Sequence, residues 1–270
     1  GFEFKKSENS VTVCGKLKSG KYEINGNISS QFITGLILAL VYIGENSSIR
    51  IIPPFESRSY VNLTVSALKS FGADIEFEDE FTIVIKKSRL HSFEGTVEGD
   101  YSNAAFLDAF NYIGSNIEIG NLKPDSLQGD KVYKECFDKI SKGTPTLDIS
   151  DCPDLGPVLI ALAALKNGAF LTGTDRLKIK ESDRGQVMHE ELYKLGGGLI
   201  FGKNTITVPK HEFKNTKTVL DGHNDHRIVM ALSLILSKYG GTIDGAEAVR
   251  KSYPSFFDDI KNLGAEVILE

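Results

Sequence analysis

The sequence predicts an α+β fold made of one repeated unit, which consists of a helix, a strand, a second helix and a β-hairpin. Three observations support this prediction. A ten-residue pattern recurs along the chain, an alternating second strand follows its first two copies, and an apolar helix and a strand precede each copy. A helical solenoid would lack the strands, and a doubly wound parallel sheet would lack the hairpins.

The recurring pattern ends an amphipathic helix with a glycine and continues at once into an alternating strand. It occurs at 68–77, 192–201 and 260–269, with a degenerate copy at 137–143. Glycine readily takes the left-handed conformation that ends helices. The glycines at 72, 143, 196 and 264 are 71, 53 and 68 residues apart, so the short interval has lost roughly one hairpin.

The remaining elements of each unit follow from hydrophobic periodicity. Second strands at 81–85 and 205–208 complete two hairpins. Helix and strand pairs precede the copies, at 29–43 and 48–52, 102–113 and 116–120, 155–166 and 169–173, and 225–238 and 241–244. Apolar residues are nearly continuous in three of these helices, over 32–40, 158–164 and 228–236, which predicts helices buried on most sides.

Composition and charge limit the class of function. Apolar residues make up 41% and charged residues 25% of the chain, as is typical of globular proteins, and no apolar run reaches the 18 residues that suggest a membrane span. The opening residues lack the apolar core of a secretion signal. The net charge of −5 argues against broad nucleic-acid binding, but it allows anionic small substrates. Cys14, Cys136 and Cys152 fit no metal-ligand spacing and indicate free thiols in a reducing compartment.

Two helix starts in the first third of the chain carry hydroxyl groups. Ser29, Ser30 and Gln31 open the first apolar helix, where hydroxyls and free backbone N–H groups make an anion site. Taken alone, ordinary helix capping is the commoner role of serines at this place. Ser57 and Tyr60 begin the next helix and add a second hydroxyl cluster beside one cation.

A denser group of charges lies at 180–184. Lys180 and Arg184 are four residues apart and flank Glu181 at a helix start. Two cations beside a carboxylate suit a phosphorylated substrate and a proton-transfer group. A solvated, salt-bridged helix start is an equal alternative, although two cations in a first turn oppose the helix dipole.

Three further helix starts carry titratable or charged groups. His226 and Arg227 follow Asn224 and Asp225, either of which can cap the helix. Asp154 precedes the apolar helix at 155–166, and Lys251 lies at another helix start. In a barrel of such units, these helix starts would converge.

Taken together, these motifs resemble those of the 5-enolpyruvylshikimate-3-phosphate (EPSP) synthase family. Several ordered motifs at consistent spacing are specific, so the separate capping and salt-bridge explanations lose force. The matching segments are Ser-Ser-Gln at 29–31, Ser-X-X-Tyr at 57–60, Pro-Asp at 153–154, Lys-Glu-Ser-Asp-Arg at 180–184, Asn-Asp-His-Arg at 224–227 and Lys-Ser-Tyr-Pro-X-Phe-Phe at 251–257.

The resemblance implies a reaction and a role for each residue. Members of this family join phosphoenolpyruvate to shikimate 3-phosphate without a metal or covalent cofactor. Asp154 would be the base at the attacking 5-hydroxyl, Glu181 the proton donor, and His226 and Lys251 further catalytic residues. Shikimate 3-phosphate would contact Ser29, Ser30, Gln31, Ser57, Tyr60, Asp154 and Lys180, and phosphoenolpyruvate would contact Gln31, Arg184, Arg227 and Lys251.

The resemblance also implies a two-domain inside-out α/β barrel with the site in the cleft between its domains. Residues 1–97 would be the remaining half of the N-terminal domain and residues 98–270 the C-terminal domain. The family's N-terminal part, with its glycine-rich phosphate loop, is not in this sequence, so we expect the chain alone to be inactive. We expect a cytoplasmic protein, monomeric when complete, with small-molecule partners and neither nucleic acid nor membrane.

Two alternatives remain at this point. A UDP-N-acetylglucosamine enolpyruvyl transferase shares the fold and the phosphoenolpyruvate chemistry, although Ser-Ser-Gln and Asn-Asp-His-Arg favour the shikimate enzyme. A non-catalytic fragment that keeps one substrate pocket is the other.

Overall fold

The computed structural model describes residues 2–214 and 217–269. The chain divides into two compact units, which we call unit 1 (Gly1–Thr96) and unit 2 (Val97–Glu270). Each unit has its own hydrophobic core. Within the described ranges, every helix is too short or too polar to cross a lipid bilayer.

Unit 1 packs two helices on the buried face of a mixed sheet. Its elements are β1 (Phe2–Lys6), β2 (Val11–Gly15), β3 (Lys21–Asn25), α1 (Ser30–Ile43), β4 (Ser47–Ile52), α2 (Arg58–Ser70), β5 (Asp74–Phe77) and β6 (Thr82–Lys86). The sheet order is β3-β4-β6-β5, and only the β3–β4 pair of this sheet is parallel. Strands β1 and β2 form a separate, exposed antiparallel hairpin that the sequence patterns do not predict.

Unit 2 contains the larger core and repeats the same sheet arrangement. Its elements are α3 (Tyr101–Tyr112), α4 (Tyr133–Lys142), β7 (Thr146–Asp148), α5 (Gly156–Leu165), β8 (Ala169–Thr172), α6 (Arg184–Lys194), β9 (Ile200–Gly202), β10 (Thr205–Val208), β11 (Val219–Asp221), α7 (His226–Tyr239), β12 (Thr242–Asp244) and α8 (Phe256–Asn262). One sheet has the order β7-β8-β10-β9, and β11 pairs with β12 in parallel. Short 3₁₀ turns lie at Gly129–Val132, Pro153–Leu155, Thr174–Ile179 and Ala246–Lys251.

The two mixed sheets confirm the predicted unit for two of its copies. In each, a parallel strand pair is followed by an antiparallel hairpin, β5–β6 in unit 1 and β9–β10 in unit 2. The glycines that follow α2, α6 and α8 have φ angles of 86°, 86° and 103°, which side chains with a Cβ rarely adopt. After α2, Gly72 N donates to Lys69 O and Ala73 N donates to Leu68 O, which is the hydrogen-bond pattern of a Schellman motif.

Two predicted strands are absent from the described residues. The segment 116–120 is not a strand, because the Asn111 side chain accepts from the N–H of Ile117 at 2.5 Å and donates to its carbonyl at 2.8 Å, in place of a neighbouring strand. The segment 265–269 is also irregular, and Ile268 at its end is 87% exposed. Both patterns alternate, but a strand also requires a paired neighbour.

The prediction of deeply buried helices is confirmed in unit 2 and is wrong in part for unit 1. Every residue of α5 is buried, and α7 is buried over most of its length, because α3, α5 and α7 pack against one another. Helix α1 instead leaves Phe32 59%, Leu38 49% and Tyr42 90% exposed. It packs on α2 and the sheet and has no equivalent of the second and third helices of unit 2 among the described residues.

Candidate functional site

The predicted residues of unit 1 lie at one edge of its sheet. Because β3 and β4 are parallel and in register at Asn25 and Ile52, the loops that follow them leave the same edge and lead to α1 and α2. Gly26 joins the loops, since its N–H donates to Ile52 O at 2.9 Å. A Cβ at Gly26 would lie 2.7 Å from Pro54 O, so the loops approach each other too closely for a side chain there.

At the start of α1, the three predicted residues differ in role. Ser29 is the N-cap, and its Oγ accepts from the backbone N–H of Gln31 at 3.2 Å, as the capping interpretation requires. Ser30 is buried, whereas Gln31 is exposed. Capping therefore accounts for Ser29 but not for the neighbouring Ser30 and Gln31.

At the start of α2, Ser57 is held in a left-handed conformation with φ 53°. Ser57 is only 1% exposed. Its hydroxyl does not cap α2 and has no hydrogen-bond partner within the described ranges. A buried hydroxyl without a partner is uncommon, so Ser57 is a candidate for binding a polar ligand. Tyr60, in the first turn of α2, is half-buried.

The predicted residues of unit 2 converge on the carboxylate of Asp154, which lies in the 3₁₀ turn between β7 and α5. Its Oδ1 accepts from Lys180 Nζ at 3.2 Å and from Arg184 Nη1 at 2.8 Å. Its Oδ2 accepts from Arg227 Nη2 at 3.0 Å. Residues separated by up to 73 positions in sequence thus meet at one carboxyl group.

This surrounding charge determines the ionisation of Asp154. Burial by itself would raise the pKa of the carboxyl group, but Arg227, Lys180 and Arg184 together outweigh it. They hold the pKa of Asp154 well below its usual range. The carboxylate is therefore fully ionised, and a weak base, while these three cations face it.

Arg184, the first residue of α6, is the most completely engaged of the cations and is only 1% exposed. Its Nη1 donates to Asp154, its Nη2 to Glu181 Oε2 at 2.6 Å, and its Nε to Asp225 Oδ2 at 2.9 Å. Each of its nitrogens therefore already serves a carboxylate. Glu181 is the most exposed of these partners, because 39% of its side chain is accessible, against 19% for Asp154 and 0% for Asp225.

The sequence patterns assign Asp225 at most a cap, but the structure gives it a second role. It caps α7 by accepting from the Arg227 N–H at 3.0 Å, and it also accepts from Arg184 Nε and from Ser182 Oγ. It is fully buried, and burial would raise its pKa, yet Arg184 and these hydrogen bonds lower it. Asp225 therefore links the start of α6 to the start of α7.

Arg227 and His226 begin α7, and each has a buried polar nitrogen without a hydrogen-bond partner in the described ranges. Arg227 Nη2 has partners, but Nε and Nη1 are buried with none in the part of the chain that the structure describes. Unpaired buried donors on a guanidinium are costly, so they indicate an anion site. Burial, and then the neighbouring Arg227 charge, lower the pKa of His226, which is therefore neutral at pH 7.

Lys251, at the end of the last 3₁₀ turn, donates from Nζ to the carbonyl of Asn224. His223 and Asn224 both have positive φ, 48° and 51°, so this contact supports a strained turn directly before α7. The buried Glu191 supports the turn from α6, where it accepts from His223 Nε2 at 2.9 Å and from Asp221 N at 2.9 Å. Glu191 was not identified from the sequence, because no motif contains it.

The structure therefore gathers the predicted residues in two groups, one in each unit. Ser29, Ser30, Gln31, Ser57 and Tyr60 form the first, and Asp154, Lys180, Glu181, Arg184, His226, Arg227 and Lys251 form the second. A cavity of about 210 Å³ beside Leu177, Phe201 and Ile206 contains none of them.

Comparison with solved structures identifies the fold. The structure aligns with an EPSP synthase from Acinetobacter baumannii at a TM-score of 0.74, covering 98% of this chain and 68% of that one at 22% identity. It also aligns with the enolpyruvyl transferase NikO from Streptomyces tendae at a TM-score of 0.69 and 15% identity, covering 98% and 69%. At these identities the likeness shows the fold alone, which is the α+β fold of enolpyruvyl transferases.

The sequence then shows the particular family. The family model described as EPSP synthase (3-phosphoshikimate 1-carboxyvinyltransferase) matches residues 2–260, and the chain belongs to this family. Curated relatives named 3-phosphoshikimate 1-carboxyvinyltransferase include that of Clostridium kluyveri, 37% identical, and that of Clostridium acetobutylicum, 39% identical. Each alignment covers 95% of this chain but only 65% and 64% of the relative, so the chain spans about two thirds of their length.

We predict that Asp225→Asn lowers the free energy of unfolding of this chain by about 3–5 kcal/mol at pH 7, because it leaves Arg184 buried without a full counter-charge. Asp175→Asn is the matched control. Asp175 pairs with Lys178 on the surface, where both side chains are more than half exposed, so its loss should change the free energy of unfolding far less. Urea unfolding of both variants measures the difference.

The same pair of variants tests the pH dependence. The folded pKa of Asp225 lies below its ordinary value of 3.8, so the stabilisation is present above that pH and is lost as the pH falls through the window below it. The gap between wild type and Asp225→Asn should therefore narrow below about pH 4. Equal losses in the two variants at pH 7 would contradict the central position given to Asp225.

Proposed function

We propose that the complete protein of which this chain is a part transfers the enolpyruvyl group of phosphoenolpyruvate to the 5-hydroxyl of shikimate 3-phosphate, releasing phosphate. The observation that carries the proposal is Arg227, a buried guanidinium with two unpaired nitrogens beside an ionised carboxylate and two further cations. Such a group suits a doubly anionic ligand. Membership of the EPSP synthase family supports the choice of substrates.

In this proposal, the hydroxyl groups of unit 1 bind shikimate 3-phosphate. Ser30 and Ser57 are buried at the starts of α1 and α2, the helices that follow the parallel strands β3 and β4. At a helix start, backbone N–H groups and the helix dipole favour a phosphate. Gln31 is exposed and available to a substrate. Tyr60 completes this group.

Asp154 acts as the base at the 5-hydroxyl, and the charges around it make this action depend on the substrates. Its pKa is depressed while Arg227 and Lys180 are paired with it. An anion that binds these cations offsets their field, and the pKa of Asp154 then rises. The carboxylate thus becomes a stronger base when phosphoenolpyruvate and shikimate 3-phosphate are bound.

Glu181 acts as the proton donor to the methylene carbon. Its contact with Arg184 couples this proton transfer to the binding of phosphoenolpyruvate by Arg184. For Arg184 to bind phosphoenolpyruvate, one of its carboxylates has to give up its hydrogen bond, and Glu181 is the most exposed of them. Its release would leave an Arg184 N–H for the substrate, and the exposed Glu181 carboxylate would take up a proton from solvent before it gives that proton to the methylene carbon. Lys251 and His226 are proposed to support the same site.

The related UDP-N-acetylglucosamine enolpyruvyl transferases are the first alternative. The matched family and the names of the curated relatives favour the shikimate enzyme. The structural likeness does not separate the two, since enolpyruvyl transferases of different names align with similar scores.

For the 270-residue chain by itself, binding without turnover is the second candidate, and the exposed face of α1 favours it. Phe32, Leu38 and Tyr42 form an apolar face whose counterpart in unit 2 is covered by neighbouring repeats. The unmatched third of the curated relatives amounts to about 150 residues, the length of about two repeats. We propose that unit 1 is the remaining half of the N-terminal domain and that two further repeats cover this face.

We predict that Glu181→Gln lowers turnover of the complete protein by about 10²–10⁴-fold, because the amide keeps the shape but removes the titratable group. Binding of both substrates should change far less. Glu190→Gln, at an exposed position on α6, is the matched control and should retain full turnover. Steady-state phosphate release is the measurement, and near-normal turnover of Glu181→Gln would remove this residue from the role of proton donor.

We also predict that the chain alone gives no phosphate release above background, because each missing electrostatic contact costs about 10²–10³-fold in rate. Adding the remaining third of a curated relative as a separate polypeptide should restore measurable turnover. The control mixture contains the Glu181→Gln chain and should stay inactive, which shows that restored activity uses this chain. Full activity of the isolated chain would contradict the proposed division of the site.

A further inference from the structure

Two residues of helix α3 contact the guanidinium of Arg227, and no motif of the sequence indicates this contact. Ser102, in the first turn of α3, accepts at Oγ from Arg227 Nη2 at 3.1 Å. Phe106 lies one turn further along α3, and its ring centroid is 6.0 Å from the guanidinium carbon of Arg227. Aromatic faces attract guanidinium groups at this distance. One side of α3 therefore supplies both a hydrogen-bond acceptor and an apolar surface to Arg227.

The orientation of the Ser102 hydroxyl is fixed by Asp100, the N-cap of α3. Ser102 Oγ lies 2.6 Å from Asp100 Oδ1, and the Ser102 backbone N–H donates to the same oxygen at 2.8 Å. Since a carboxylate only accepts, the hydroxyl donates its proton to Asp100, and its lone pairs are left for Arg227. Ser102 is 4% exposed, so water does not compete for this arrangement.

The hydrogen bonds from Arg227 to Ser102 and from Ser102 to Asp100 determine which nitrogens of Arg227 are available to a ligand. Nη2 is shared between Ser102 and Asp154, at 3.1 and 3.0 Å. Nε and Nη1 are buried and lack partners among the described residues. Because the guanidinium is planar, holding Nη2 also fixes where the other two nitrogens point.

We propose that Ser102, held by Asp100, is a positioning residue that orients Arg227 so that its Nε and Nη1 donors bind phosphoenolpyruvate. The inference rests on the proposed function and assigns the start of α3 to the same site. It adds a fourth element to those that carry the sequence motifs around Asp154. The hydroxyl itself acts through Arg227 rather than on the reacting atoms.

The test compares Ser102→Ala with Ser102→Thr and Ser233→Ala in the complete protein. Ser233 is a matched control, since it is buried to a similar degree and its hydroxyl donates to Val229 O, away from Arg227. Ser102→Ala should raise the KM for phosphoenolpyruvate about tenfold, as expected when a hydrogen bond to a charged group is lost. The kcat and the Kd for shikimate 3-phosphate should change less than about twofold, and Ser102→Thr should restore the KM because it returns the hydroxyl.

A second measurement separates failure of this inference from failure of the proposed function. Nitrogen-15 NMR of the Arg227 guanidinium, in the 270-residue chain, reports rotation about the Cζ–Nη2 bond without any substrate. Rotation should be several-fold faster in Ser102→Ala than in wild type or Ser233→Ala. Unchanged rotation and a KM equal to that of Ser233→Ala would overturn the inference, whereas faster rotation in a protein that does not use phosphoenolpyruvate would overturn only the proposed function.

Discussion

The arrangement of unit 2 depends on the ion pairs that the buried guanidinium of Arg184 makes with three carboxylates. A cation that is 1% exposed requires compensating charge, and Arg184 obtains it from Asp154, Glu181 and Asp225. These carboxylates precede or begin α5, α6 and α7. The requirement to satisfy one buried charge therefore fixes the starts of helices that are far apart in sequence.

The repeat explains why those starts are near enough to share a charge. Among the described residues, three of the repeats have a pair of parallel strands, β3–β4, β7–β8 and β11–β12, and parallel neighbours end at the same sheet edge. The helix that follows each strand consequently begins at that edge, with its free N–H groups and the positive end of its dipole. In unit 1 this geometry collects hydroxyl groups, and in unit 2 it collects cations and carboxylates. The chemistry differs between the units because the residues at equivalent helix starts differ.

Much of this could be predicted from the sequence, because local signals determine it. The glycines after α2 and α6 and the alternating residues beyond them specify the hairpins, and the apolar runs specify α5 and α7. The failures have non-local causes. The segment 116–120 has a strand pattern, but the side chain of Asn111 occupies its backbone groups. The outer face of α1 is apolar in sequence but exposed here, because burial depends on neighbouring repeats.

In the candidate site too, local motifs predict some features and long-range contacts determine the others. The motifs identified the residues around Asp154, but they did not show that Arg184 is saturated by carboxylates while Arg227 keeps two unpaired nitrogens. Nor did they indicate Ser102 or Glu191, which act through long-range contacts and lie in no motif. Side-chain pairing across more than 100 residues is set by tertiary packing.

We propose that three cations suppress the basicity of Asp154 until anionic ligands bind them. Carbon-13 NMR titration of the Asp154 carboxyl group in the complete protein, assigned with an Asp154→Asn variant, tests it most directly. Without substrate, the carboxyl group should remain ionised well below its ordinary pKa of 3.8. With phosphoenolpyruvate bound, the pKa should rise. A carboxyl group that titrates near 3.8 in the free protein, or whose titration is unaffected by phosphoenolpyruvate, would contradict the account.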